Sequence, residues 1–311
     1  MKILVLRALG LGDLLTAVPA LRGLRAAFPR AEITLAAPEW LRDAVERIEA
    51  VDRLLPTEEL APIGFERPDL AVNLHGKGPQ SIDRLLATKP RALITYGDGP
   101  RCGETRMAVS AWPGERHEVL KWCDLLQRNG IRCDPEDFRL HPVGHRTGWI
   151  VIHPGASTGA RRWPVDRYAA VARELRAEAS PDPLALVVTA GPREGDLARR
   201  IVADPVSGSL AELMDLVATA RLVICGDTGV AHVATAYGTP SVLLFGPVSP
   251  QLWGPLRGPH RVLWHGEPGD TFADDPSPGL LKITIEEVLD AVGGVLCERS
   301  ESVSSARATS V

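Results

Sequence analysis

Three short segments combine charged side chains with small residues where an apolar run gives way to a helical pattern. In the first, Gly10-Leu11-Gly12-Asp13 follows the apolar stretch Met1–Ala8. Glycines there permit a tight turn and close approach of a ligand to the backbone, and a helix N-terminus favours negative charge. A carboxylate at that place either caps the helix, worth about 1 kcal/mol, or acts as a general base at the mouth of a sheet. The second segment is Gly226-Asp227-Thr228-Gly229-Val230-Ala231-His232. Backbone N–H groups at Thr228 and Gly229 can hold a diphosphate and Asp227 can accept from sugar hydroxyls, with His232 one helical turn further on. The same residues also fit a structural cap followed by an internally bonded histidine. The third is His153-Pro154-Gly155-Ala156-Ser157, leading to Arg161-Arg162-Trp163-Pro164. A small-residue loop with two guanidiniums suits a phosphate clamp, because arginine binds oxyanions bidentately. Taken alone, an arginine pair is also ordinary on the surface of so arginine-rich a chain. Lesser candidates are His75, Lys77, Gln80 and Ser81, after the strand pattern Asp69–Leu74, and His117 at the head of a helix.

The elements that must position these groups alternate. Strands are expected at Met1–Ala8, Ala31–Ala37, Asp69–Leu74, Gly148–His153, Leu184–Thr189, Leu222–Cys225 and Ser241–Phe245. Between them, 3.6-residue periodicity predicts helices: one carrying Leu14, Leu15, Val18, Leu21 and Leu24 on a single face, with Asp13 as its N-cap and Pro29 beyond its end. Others are expected at Trp40–Glu49, Glu115–Asn129, Val165–Ala177, Leu210–Ala220, 229–237 and Ile285–Leu296. Strand–helix alternation implies α/β layers around mostly parallel sheets. The pattern restarts near 140–148, so two domains are expected, 1–145 and 146–298. The Ser-rich, apolar-poor stretch 299–311 is expected to be disordered.

Composition narrows the function. The chain has 311 residues, 45% hydrophobic and 24% charged, enough apolar surface for two cores. A net charge of −4 offers no global field for nucleic acid or anionic lipid. Thirty of the 35 basic residues are arginine, a bias that GC-rich codon usage explains without phosphate binding. Five widely spaced cysteines, Cys102, Cys123, Cys133, Cys225 and Cys297, lack any C-x-x-C and read as free thiols. The eight histidines include no H-E-x-x-H motif, and the pair His141/His145 stands in a Pro- and Gly-containing stretch, so no metal site is expected. Arg7 and Asp13 interrupt the signal-peptide-like N-terminus, and no run approaches a membrane span, which points to a cytoplasmic protein.

Together the motifs resemble glycosyltransferase family 9, the ADP-heptose-dependent heptosyltransferases. The resemblance is carried by ILVLRALGLGDLLTAVPAL, HPGAS…RRWP and DTGVAHVATAYGTPSVLLFGP, with weaker echoes in DLAVNLHGKG, GPREGDLARRI and ITIEEVLDAV. It spans roughly 1–296 and implies a GT-B architecture, two Rossmann-like domains facing each other across a cleft. It also implies inverting transfer from ADP-heptose or another ADP-sugar, with neither metal nor cofactor. By position, Asp13 becomes the general base. Ser157 falls in the diphosphate loop, and Arg162 stands where the family usually has a diphosphate-binding lysine. Glu194 falls near an acidic donor contact, and Asp227, Thr228, Gly229 and His232 match the donor-site segment. Gly12, His75, Lys77, Gln80 and His117 remain as acceptor-side candidates. The acceptor is expected to be a lipopolysaccharide or other cell-envelope glycan, or a small natural-product precursor, with a hydroxyl or amine as nucleophile. Alternatives are a nucleotide-sugar epimerase or hydrolase of the same fold and a non-catalytic nucleotide-sugar-binding protein. A dinucleotide-dependent dehydrogenase fits least, because Leu15 occupies the third glycine position of G-x-G-x-x-G even though Glu39 lies near the ribose position.

Overall fold

The computed structural model describes residues 1–99, 104–141, 144–177, 185–266 and 268–308, with side chains to 297. The chain divides into two compact units, Met1–Leu140 and His141–Val311, against the expected boundary at 145/146.

The first unit runs β1 (Lys2–Leu6), α1 (Leu11–Thr16), α2 (Val18–Ala27), β2 (Glu32–Ala37), α3 (Arg42–Ile48) and β3 (Arg53–Pro56). It continues with β4 (Leu70–Asn73), α4 (Gln80–Ala87), β5 (Ala92–Tyr96), β6 (Arg106–Ser110) and α5 (Glu118–Gln127). Its six strands are all parallel, in the order β3-β2-β1-β4-β5-β6. Strand order therefore reverses between β1 and β4, whose register pairs Leu6 with Asn73. In open α/β sheets, the crevice beyond the carboxyl ends of such a strand pair is where ligands bind. Asp13 stands in the first turn of α1, just after β1, and His75 in the loop after β4.

The single helix expected over Leu14–Leu24 is two. Ala17 closes α1, its N–H turning back to Leu14 and Leu15. Pro19 stands in the first turn of α2, where a missing N–H is tolerated. The apolar face still holds, since Leu14, Leu21 and Leu24 are fully buried.

The second unit runs β7 (Ile150–His153), α6 (Val165–Ala177), β8 (Leu186–Val188), α7 (Gly195–Arg199), α8 (Leu210–Thr219) and β9 (Leu222–Gly226). It continues with α9 (Gly229–Tyr237), β10 (Ser241–Leu244), α10 (Pro250–Trp253), β11 (His260–Leu263), α11 (Pro278–Lys282) and α12 (Ile285–Ala308). Its sheet is again parallel, ordered β11-β10-β9-β7-β8, with the reversal between β7 and β9. The core gathers Ile150, Ile152, Ile224, Val242 and Leu244 from the strands, with Val171, Leu175, Val288 and Val292 from the helices. Trp163 is buried in it, edge-on to Tyr168 at 4.9 Å, its indole N–H donating to the Ile283 carbonyl at 3.1 Å. That anchor fixes Arg161 and Arg162 just before it.

The last helix continues beyond Leu296 to Ala308, through most of the stretch expected to be disordered, and 309–311 lie outside the described residues. Cys123, Cys133, Cys225 and Cys297 are free thiols, and Cys102 lies outside the described residues. Among the described residues, no helix is long and apolar enough to cross a membrane.

Candidate active site

At the β1/β4 switch point the organising group is Arg7, one residue past the end of β1 and 1% exposed. Burying a charge is costly unless it is paired and hydrogen-bonded, and Arg7 is surrounded by acceptors. Its Nε donates to the Asp13 carbonyl at 3.0 Å, and one terminal nitrogen donates to the Leu74 carbonyl. The other terminal nitrogen meets Asp13 Oδ1 at 3.3 Å, Thr16 Oγ1 at 3.3 Å and Glu118 Oε1 at 3.2 Å. The guanidinium also lies over the Trp122 ring, 4.8 Å from its centroid.

Asp13 is the third residue of α1, not its N-cap. Gly10 holds the cap position and has no side chain to cap with, so the Asp13 carboxylate reaches back instead, Oδ2 accepting from the Gly10 N–H at 3.3 Å. Oδ1 faces Arg7, and the side chain remains 28% exposed, open to a reactant. Gly12 sits beside it within α1.

Across the switch point, buried Asn73 shapes the loop after β4. Its amide donates to Gly76 O, Ser81 Oγ and Thr95 Oγ1 at 3.0–3.1 Å, and its Oδ1 accepts from the His75 N–H at 3.1 Å. His75 Nδ1 is buried without a hydrogen-bond partner. Burial, reinforced by Arg7 and opposed by Asp13, holds this imidazole below its ordinary titration range, so it is neutral at pH 7. Lys77 and Gln80 are exposed on the same loop and on the first turn of α4. His117 is the N-cap of α5, its Nδ1 accepting from the Val119 N–H at 3.3 Å. Its neighbour Glu118 is the residue that faces Arg7. Burial pushes the Glu118 carboxyl up, but Arg7, Lys121 and the Trp122 indole N–H outweigh it and hold the group below its ordinary value.

The second unit's switch point assembles the other candidates. Gly226 ends β9, Asp227 follows it with 3% exposure, and Thr228 is the N-cap of α9. The Thr228 side chain makes no cap hydrogen bond, which leaves the first N–H groups of α9, at Gly229 and Val230, to an external acceptor. Arg161 pairs with Asp227 Oδ2 at 3.0 Å, and its Nε is buried without a partner. Arg162 folds back on the third segment, Nε and one terminal nitrogen donating to the Ala156 carbonyl at 3.1 and 2.9 Å. Ser157 is exposed beside that carbonyl. His232 lies on α9, its ring edge-on to Trp253 at 5.9 Å.

Glu194 joins the same group. Its Oε2 accepts from the Gly191 N–H at 2.8 Å and lies 3.6 Å from His153 Nε2, while His153 Nδ1 is 3.0 Å from Thr189 Oγ1. The carboxylate packs so closely on Gly155 that a Cβ there would overlap it. The acidic segment 271–277 is a strap over the third segment. Thr158 Oγ1 donates to Thr271 O at 2.7 Å, Ala160 N to Ala273 O at 2.8 Å and Ser277 N to Ala160 O at 3.1 Å. Gly159 is required there, since a Cβ would collide with the Asp274 carbonyl.

The sequence reading does not single out Arg7 or Glu118 as site residues, and it names Arg161 only as one of the two guanidiniums of the third segment. The available signal for Arg7 was a lone charge at the end of a wholly apolar strand, which must find buried partners.

Comparisons with known proteins bear on this arrangement. Residues 134–274 match the sequence profile described as Glycosyltransferase family 9 (heptosyltransferase). The chain is 28% identical to lipopolysaccharide heptosyltransferase 2 of Salmonella typhimurium over 360 aligned positions, which cover 96% of this chain and 99% of that protein. It is 26% identical to the protein of the same name from Escherichia coli K12, with the same coverage. Among solved structures, a family 9 glycosyl transferase from Veillonella parvula superposes with a TM-score of 0.76 at 22% identity, covering 96% of this chain and 97% of that one. The E. coli ADP-heptose lps heptosyltransferase II also reaches 0.76, at 24% identity, over 96% and 100% of the two chains. The fold is thus of the GT-B type, with two parallel-sheet units.

Proposed function

We propose that this chain is a member of glycosyltransferase family 9, which its matching segment and its relatives support, and that it moves a heptosyl group from ADP-heptose to a sugar hydroxyl of a lipopolysaccharide-type core. The observation that carries the reading is the division of labour between the two switch points. One presents a partly exposed carboxylate, Asp13, with both oxygens oriented. The other presents uncapped helix N–H groups and arginines, the chemistry that receives a diphosphate.

In the proposed reaction the acceptor O–H gives its proton to the Asp13 carboxylate as its oxygen bonds to the anomeric carbon. The bond from that carbon to the β-phosphate oxygen breaks, and its electron pair leaves with ADP. Attack from the face opposite the diphosphate inverts the anomeric configuration. Charge developing on the leaving oxygens meets the N–H groups of Gly229 and Val230 and the guanidiniums of Arg161 and Arg162, so preorganised dipoles and cations lower the barrier. Arg162 must exchange its Ala156 acceptor for phosphate oxygen, and Asp227, Glu194 and Ser157 are placed to receive sugar and ribose hydroxyls. Arginine in place of lysine at 162 offers a flat two-pronged donor. In this reading no metal takes part, and turnover persists in excess chelator.

The test is transfer from ADP-heptose to a truncated lipopolysaccharide core by wild type and Asp13→Asn. The proposal expects kcat to fall roughly 100- to 10,000-fold, the range for a positioned general base, while ADP affinity holds. Donor consumption without an acceptor would favour hydrolysis, and transfer only to a small soluble acceptor would move the substrate away from the envelope.

A further inference from the structure

We propose that Arg7 is a positioning residue for the Asp13 base, and that Glu118 is the counter-charge that holds Arg7 in place. This rests on the reading of Asp13 as the base. Every nitrogen of the guanidinium has an acceptor: Nε and one terminal nitrogen meet main-chain carbonyls of Asp13 and Leu74, the other terminal nitrogen Asp13 Oδ1, Thr16 and Glu118. Glu118 is itself pinned by Lys121 at 2.5 Å and by the Trp122 indole N–H at 2.8 Å, and Trp122 also floors the guanidinium. The Asp13 carboxylate is consequently fixed from two sides, by Arg7 at Oδ1 and by the Gly10 N–H at Oδ2.

Stability does not account for this arrangement. A buried ion cluster loses hydration that its mutual attraction barely returns, and apolar replacement of a whole cluster is often neutral or favourable. The arrangement is explained by what it does to the one member with solvent access. Asp13 side chain is 28% exposed, whereas Arg7 and Glu118 are 0% and 7%. The titratable and charged groups facing Asp13 come from three elements: Arg7 after β1, the neutral His75 after β4, and the Glu118–Lys121 pair on α5. Arg7 stabilises the ionised base directly, and Glu118 opposes it from one step further away.

This ordering predicts opposite effects that a merely structural role does not produce. The experiment measures kcat, donor KM, pH dependence of kcat/KM and melting temperature for wild type, Arg7→Lys, Glu118→Gln, the double variant Arg7→Met/Glu118→Gln and Asp13→Asn. Lysine carries the charge but not the planar fork, so Arg7→Lys is expected to lose about a hundredfold in kcat with donor KM nearly unchanged. Glu118→Gln shifts the acid limb of kcat/KM to lower pH. The double variant removes the Arg7 and Glu118 charges together, with Lys121 still over the Trp112 ring, and moves the acid limb to higher pH. Acid limbs that coincide with wild type in both Glu118→Gln and the double variant, alongside lowered melting temperatures, overturn the proposal and leave Arg7 a structural residue. Near-wild-type turnover by Asp13→Asn overturns the underlying base assignment instead, and is recognisable because it does not involve Arg7.

Discussion

Two adjacent arginines, Arg161 and Arg162, have the same sequence context and different structural situations, which makes them separable by measurement. Arg162 donates twice to the Ala156 carbonyl and, among the described residues, has no ion pair to break. Its replacement by methionine therefore removes charge-assisted contacts to the bound diphosphate and little else. Hydrogen bonds to charged groups contribute roughly 1.5–3 kcal/mol, and 1.4 kcal/mol is a tenfold change in affinity. Arg162→Met is thus expected to raise the Kd for ADP about 10- to 150-fold in calorimetric titration, with less effect on AMP, which lacks the second phosphate. Arg161 is different, because its guanidinium pairs with Asp227, a carboxylate 3% exposed. Removing one partner of a buried pair costs up to about 3–5 kcal/mol. Arg161 is 25% exposed and Asp227 has other interactions, so a cost near 2–3 kcal/mol is the better expectation. For a domain of this size that lowers Tm by roughly 5–10 °C. Arg161→Met should therefore melt early and also bind ADP more weakly, since its unpartnered Nε is lost with it. Unchanged ADP affinity in Arg162→Met, with the whole loss in Arg161→Met, would refute the assignment of the phosphate clamp to Arg162.

Three further outcomes follow from the geometry. Gly159→Ala forces a Cβ into the Asp274 carbonyl and frees a strap held by three hydrogen bonds, each worth about 0.5–1.5 kcal/mol. A Tm lowered by several degrees and accelerated proteolysis within 268–277 are expected, and a wild-type melting curve would show that the strap does not depend on Gly159. His75 and His153 are both held below the ordinary histidine value of 6.5, chiefly by burial. The unfolded chain then binds more protons than the folded one below that value, so stability is full above about pH 6.5 and falls as pH drops through it. His75→Gln/His153→Gln should flatten the fall of Tm between pH 7 and 5, and an unaltered slope would place its origin elsewhere. Finally, His75→Ala should raise the acceptor KM and leave the ADP Kd alone, because the unpartnered Nδ1 belongs to the first unit's switch point.

The two-unit α/β organisation was legible because buried parallel strands such as Lys2–Leu6 and Leu222–Gly226 are continuous apolar runs ended by glycine-containing turns. The strand, small-residue turn and helix around the proposed donor segment were legible too, and the structure places β9, the turn at Asp227–Thr228 and α9 there in that order. Less visible were the elements whose apolar residues are few, such as β3, β6 and α7, with only four or five residues each. Site details that depend on long-range pairing were not available to a local reading. Arg7 and Glu118 lie 111 positions apart, and Arg161 and Asp227 lie 66 apart. The adjacent pairs His117/Glu118 and Arg161/Arg162 show the limit well: the motif picks out the neighbourhood, but packing decides which of two polar neighbours meets the buried charge, Glu118 pairing with Arg7 and Arg161 with Asp227.

In the proposed reaction, the capping chemistry of two helices gives a physical reason for base and diphosphate to belong to different units. Both switch points end a strand and begin a helix, and both place an aspartate at the turn. In the first, Asp13 reaches back to the Gly10 N–H and occupies the helix start with its own carboxylate, so a phosphate there would meet like charge. In the second, Arg161 draws the Asp227 carboxylate aside and the Thr228 hydroxyl leaves the cap unmade, so the start of α9 stays open to an anion. One local fold thus becomes a proton acceptor or an anion receptor according to where a single carboxylate is tied. Moving that tie should move the function: Asp13→Asn removes the like charge from the first helix start, while a carboxylate at position 228, as in Thr228→Asp, would cap α9 from within. The latter variant is expected to fold with equal or higher stability, because aspartate is a strong N-cap, and to lose ADP binding by tenfold or more through like-charge repulsion, about 1.4 kcal/mol or above. Retained ADP affinity in Thr228→Asp would mean that the diphosphate does not sit at the start of α9.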